Sequence, residues 1–132
     1  MDTSEALAQL KAQAEPGRAE QMATYHKQAR EVLGVPNPAT NELTKSWRQA
    51  LSVAERVELA RALWDTDIFE ARIAAAKLLT QARIKDDALV WELLQSWVPQ
   101  FDSWAIADHA CTAIAKRLQA DPSRLGVVVD WT

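Results

Sequence analysis

The chain has 132 residues, 48% of them apolar and 25% charged, which is one domain's length and enough to bury a core without disulfides or metals. A formal charge of −3 argues against indiscriminate nucleic-acid binding, which usually comes with a basic domain, but leaves room for a local basic face. Cys111 is the single cysteine, which excludes an internal disulfide and a cysteine-rich zinc site and fits a reducing, cytoplasmic location; no apolar stretch approaches the roughly 20 residues of a membrane span, and the N-terminus lacks the pattern of a signal peptide.

Alanine and leucine dominate and glycine is scarce, so the expected class is all-α. Leu7, Leu10 and Ala14 share one face of a first helix, about residues 3 to 15, which Pro16-Gly17 stops. Met22, Tyr25, Ala29, Val32 and Leu33 keep helical spacing from Arg18 to Leu33, with Gly34, Pro36 and Pro38 as the stop. Thr40 or Asn41 can cap a third helix through Leu43 and Trp47 to about Ala50. Ser52 and Glu55 form a capping-box pattern ahead of a fourth helix running to about Trp64. After Asp65-Thr66-Asp67, an alanine-rich fifth helix spans Ile68 to Gln81, where small side chains permit close packing. Asp86 is the expected cap of a helix from Asp87 to Val98, ended by Pro99, and Asp102 or Ser103 that of the run Trp104 to Leu118. Asp121-Pro122 opens a last helix that reaches the end of the sequence through Val127 to Thr132.

Connections this short make neighbouring helices antiparallel. A shift of about 35 positions superposes Ala75 on Ala110 and Leu79 on Ile114, a weak repeat of solenoid length. The expected architecture is an α-solenoid of antiparallel helix pairs, about eight helices in one domain over residues 1–132, with a concave inner face suited to an elongated partner. A plain helical bundle is the alternative.

Six tryptophans stand out in so short a chain, at 47, 64, 91, 97, 104 and 131. Trp104 and Asp108 are four residues apart, so their side chains stand together on one helix face. Spacing by itself fits a core tryptophan beside a solvated charge better than it fits a site. Tyr25, Trp47 and Trp64 lie on helices that also carry Lys27, Arg30, Lys45, Arg48, Arg61 and Arg72, a mixture able to stack on bases while neutralising phosphates; for Trp47 and Trp64 the core reading is favoured. His26 and His109 lack a partner at metal-ligand spacing, Cys111 has no histidine three or four residues away, and no phosphate-binding glycine loop or metal-binding helix motif is present. Neither a metal nor an organic cofactor is expected.

Three segments, MATYHKQAREVLGVPNPAT at 22–40, ALWDTDIFEARIAAAKLL at 62–79 and WVPQFDSWAIADHAC at 97–111, together resemble the DNA alkylation repair protein family, the HEAT-like-repeat alkylpurine DNA glycosylases. The most specific element is the Trp-x-x-x-Asp pair with an aromatic residue just upstream. The resemblance, from about residue 20 onward, implies an all-α solenoid that cradles duplex DNA on a basic concave face and hydrolyses the glycosidic bond of N3- or N7-alkylated purines. It assigns Trp104 and Asp108 to the chemistry, Tyr25 to the family's tyrosine of the second helix, and Glu70 and Arg72 to the step after Leu63-Trp64. Tyr25, Lys27, Arg30, Arg48 and Arg72 are then the residues expected to hold DNA.

Two departures qualify the carry-over. Ala105 stands where the family's motif has a carboxylate, and the family continues well beyond this length, with a further arginine and tryptophan completing its site. The chain is therefore read as the N-terminal part of such a protein, inactive by itself if those partners are indispensable. Self-association through the apolar run Val127 to Trp131 is a further expectation. The competing function is a non-catalytic helical module that binds DNA structures or a protein, with Trp104 and Asp108 merely structural; burial of both side chains would favour it.

Overall fold

Over residues 1–26, 30–81 and 83–130, which this computed structural model describes, the chain forms eight α-helices and no strand: α1 (Thr3–Ala12), α2 (Arg18–Tyr25), α3 (Asn37–Ala50), α4 (Val53–Asp65), α5 (Phe69–Leu78), α6 (Ala88–Trp97), α7 (Trp104–Ala120) and α8 (Leu125–Asp130). Short 3-10 turns at Val98–Gln100 and Pro122–Arg124 precede α7 and α8. No described helix is long and apolar enough to cross a membrane.

Helix α4 pairs with α5 and α6 with α7, and the pairs stack with α4 on α6 and α5 on α7, while α1 and α3 close over α5. This two-layer arrangement is the stacking of a helical repeat. Helix α5 sits at its centre. All its residues but Lys77 are buried, and its run of alanines lets neighbouring backbones approach on every side. Ala75 and Ala110, the positions related by the sequence repeat, are both fully buried where α5 meets α7.

Several tryptophans fill the joints between layers. Trp64 and Trp97 stack with centroids 4.2 Å apart and planes within 5°. The Arg72 guanidinium lies 4.6 Å over Trp64. The indole N–H of Trp64 donates to Gln100 Oε1 at 2.9 Å, and that of Trp47 to Gln9 Oε1 at 2.8 Å. Both rings are 1% exposed, so buried aromatic area is obtained without an orphaned donor.

The Ser52–Glu55 capping box forms as its sequence requires. Other boundaries move, each for a tertiary reason. The second helix ends at Tyr25 rather than Leu33. Glu70, only 1% exposed, accepts the backbone N–H groups of Leu33 (2.9 Å), Gly34 (2.8 Å) and Val35 (2.9 Å), while Glu31 O accepts from Phe69 N–H. The segment thereby satisfies its backbone against the start of α5 instead of within a helix. Gly34 has φ +90°, and a Cβ there would meet Ala19 N at 2.8 Å, so the crossing of this segment over α2 needs glycine. Helix α3 begins at Asn37, ahead of Thr40 and Asn41, because Pro38 fits its first turn.

Neither Asp86 nor Asp102 caps a helix. Asp87 is the residue preceding α6, but its carboxylate is taken by Arg117 (2.7 Å) and Arg124 (2.7 and 2.8 Å). Asp102 is held by Arg30, and Ser103 precedes α7 without a side-chain cap. In α8, Val127 and Val128 rest partly buried on the core, Leu125 and Val129 are exposed, and Trp131 lies outside the described residues.

Glu70→Ala would leave three buried or half-buried N–H groups without their acceptor, so it is expected to cost about 3–5 kcal/mol of stability. Urea unfolding checks this, and a loss below about 1 kcal/mol would contradict the role given to the carboxylate. Hydrogen bonding from Arg124, then from Arg117, lowers the Asp87 pKa to about 2. A depressed carboxylate pKa stabilises the fold above the ordinary carboxylate range and loses that contribution as pH falls from about 4 through about 2. Asp87→Asn should therefore lose less stability than the wild type between pH 5 and pH 2.5, and equal losses would reject the assignment.

Candidate functional site

Trp104 is the first residue of α7 and Asp108 follows one turn later, so both project from the same face. They open onto a cavity of about 330 Å³. Met22 and His26 from the end of α2, Val35 and Thr40 around the start of α3, and Phe69, Glu70 and Ile73 from α5 form its other walls. Ala105, where a carboxylate was expected from the resemblance, lines it too and is 6% exposed.

The mouth of the cavity is aromatic. Trp104 is 56% exposed and Tyr25 71% exposed, an unusual display of large rings. Their centroids are 6.2 Å apart in an edge-to-face arrangement. His26 lies beneath, 5.1 Å from Trp104, 4.9 Å from Tyr25 and 4.9 Å from Phe69. Burial pushes the His26 imidazole below its ordinary pKa, with Glu70 opposing, so a neutral ring supports Trp104 near pH 7. Asp108 is exposed at the rim, and no cation within 4.0 Å neutralises it among the described residues.

The remaining residues expected to hold DNA separate. Tyr25 joins Trp104 at the mouth. Lys27 lies outside the described residues. Arg30 is drawn into the structure, its side chain 8% exposed, with Nε on Asp67 at 3.0 Å and Nη2 on Asp102 at 2.5 Å. Arg72 is likewise 8% exposed overall, donating to Trp64 O at 3.1 Å and pairing with Asp67 at 3.2 Å. Those two guanidiniums hold the α4–α5 turn and the approach to α7, and do not line the cavity. Arg48 is half-buried and lines a neighbouring cavity together with His109, which also borders the one below Trp104.

His26 and His109 carry more of the site than their sequence context suggests. The adjacency of His26 to Tyr25 is the one local signal, whereas contact with Phe69 and Trp104 depends on packing between helices far apart in sequence. Among the described residues no group of three or more His, Cys, Asp or Glu could hold a metal ion. Cys111 is exposed, and burial followed by the Asp108 charge raises its thiol pKa, the opposite of what activates a thiolate nucleophile.

The model of one protein family, described as DNA alkylation repair enzyme, matches residues 6–132. Comparison with curated proteins and with solved structures finds no match.

Trp104 is the one exposed indole among the described residues; Trp47, Trp64, Trp91 and Trp97 are 8% exposed or less. In a Trp131→Phe background, Trp104→Phe is therefore expected to remove most of the acrylamide-quenchable fluorescence. Stability should change by about 0.5 kcal/mol or less, as for surface positions generally. Unchanged quenching would show that the ring is covered in solution.

Proposed function

The chain belongs to the DNA alkylation repair enzyme family, and on that premise we propose that it binds duplex DNA and hydrolyses the N-glycosidic bond of N3- or N7-alkylated purines. The observation that carries this reading is the exposed carboxylate of Asp108 one turn from the exposed ring of Trp104, at the mouth of one cavity. Burial of both side chains would have favoured the non-catalytic alternative, and the ring of Trp104 is exposed.

An alkylated purine is a cationic leaving group. When its bond to C1′ breaks, the bonding electrons go to the base and cancel its charge, and positive charge develops on the deoxyribose as in other glycoside cleavages. The reaction therefore gains most from a fixed negative group beside the sugar. Asp108 supplies it, stabilising the developing cation and orienting a water whose oxygen bonds to C1′ and whose proton passes to the carboxylate or to solvent. The faces of Trp104 and Tyr25 can lie against the cationic base or sugar. His26 packs against Trp104 at the cavity mouth.

Arg48 is the residue of the expected DNA-holding set that borders the neighbouring cavity, while Arg30 and Arg72 act indirectly by fixing the turn that positions α7. The test is release of N7-methylguanine and N3-methyladenine from alkylated duplex DNA by this chain and by Asp108→Asn. Asp108→Asn is expected to lower excision by at least ~100-fold with an unchanged melting temperature, the scale of losing one electrostatic stabiliser. Equal excision by both proteins would remove Asp108 from the mechanism; release only by a version extended beyond Thr132 would make this chain the inactive N-terminal part, and release by neither would favour the module that binds without cleaving.

A further inference from the structure

Arg30, Arg72, Arg117 and Arg124 are each neutralised by an aspartate. Arg48 and Lys77 are arranged differently. With Asn41 and His109 they line a cavity of about 220 Å³ that no carboxylate borders. Among the described residues no carboxylate lies within 4.0 Å of either cation.

The two cations are also fixed. Lys77 is the one residue of α5 that is not buried, and its Nζ donates to Asn41 Oδ1 at 2.5 Å. Arg48 Nη1 donates to the carbonyl of Lys77 at 2.8 Å. Burial and then the charge of Arg48 lower the Lys77 pKa; burial and then Lys77 lower that of His109, with Asp108 opposing. Like charges held around one concavity repel, and an anion seated between them relieves the repulsion. The hydroxyls of Thr80 and Thr112 are spent as donors on Ala76 O and Asp108 O. The donors left to an anion are the remaining protons of Lys77 and Arg48, the Asn41 amide N–H groups and the His109 ring, a set suited to phosphate oxygens.

We infer that this cavity is a phosphate-binding subsite that takes a backbone phosphate of the DNA whose sugar faces Asp108. His109 borders both cavities, so the one that Asp108 lines adjoins the one that Arg48 and Lys77 line, as sugar adjoins phosphate in a nucleotide. The inference rests on the proposed excision reading for its choice of DNA, but the cavity's taste for phosphate does not.

Two measurements on the whole chain separate these. Titration with inorganic phosphate, followed by NMR at the His109 ring and the Lys77 methylene beside Nζ, is expected to give saturable shifts that weaken at least ~10-fold in Lys77→Gln and in Arg48→Gln. Absence of such shifts in the wild type overturns the subsite whatever the chain does to alkylated DNA, because this titration contains none. In the second measurement, binding of an undamaged duplex is followed against salt, and the slope of log K on log[NaCl] is expected to fall by about 1 in each variant and to stay unchanged in Lys11→Gln, on exposed α1 surface. Wild-type slopes in Lys77→Gln and Arg48→Gln, with phosphate still binding, would give the cavity to free phosphate and overturn its assignment to DNA.

Discussion

A single buried carboxylate holds the site side of this molecule in place. Glu70 sits in the first turn of α5 and accepts three consecutive backbone N–H groups from residues 33–35. A charge with 1% exposure is tolerable only when its oxygens are filled in this way. The bonds fix residues 33–35 at the start of α5, where Gly34 lies against Ala19 of α2, the helix whose end presents Tyr25 and His26 to Trp104.

A division of labour among the basic residues follows from the same economy of burial. Wherever α5 and α7 meet the turns around them, a guanidinium is paired with an aspartate: Arg30 and Arg72 with Asp67, and Arg117 and Arg124 with Asp87. Such planar, multiply bonded pairs are what arginine does well in a partly dry setting. They leave Arg48 and Lys77 as cations that meet each other rather than a carboxylate. The overall charge of −3 conceals this, because a sum does not show that Arg48 and Lys77 border one cavity that no carboxylate lines.

The aromatic residues divide similarly. Trp47, Trp64 and Trp97 close gaps between helices and find polar or stacking partners inside. Trp104 and Tyr25 remain in solvent at the cavity mouth. Keeping two large rings exposed gains no burial free energy, so their support by His26 and Phe69 is intelligible as preorganisation of a surface that meets a ligand.

Much of the fold is local physics. Apolar spacing at 3.6 residues, the Ser52–Glu55 box, proline and glycine punctuation and the alanine-rich stretch are properties of contiguous residues, and they determined the helix count, the all-α class and the pairing of Trp104 with Asp108 on one face. Only the tertiary structure decided that helical spacing from Arg18 to Leu33 would be broken at Tyr25, since Glu70 lies thirty-seven residues beyond the first backbone group it captures. It also decided which arginines are structural, and that His26 and His109 would border the cavity, because a side chain's partner is set by where helices pack and not by what stands beside it in the chain.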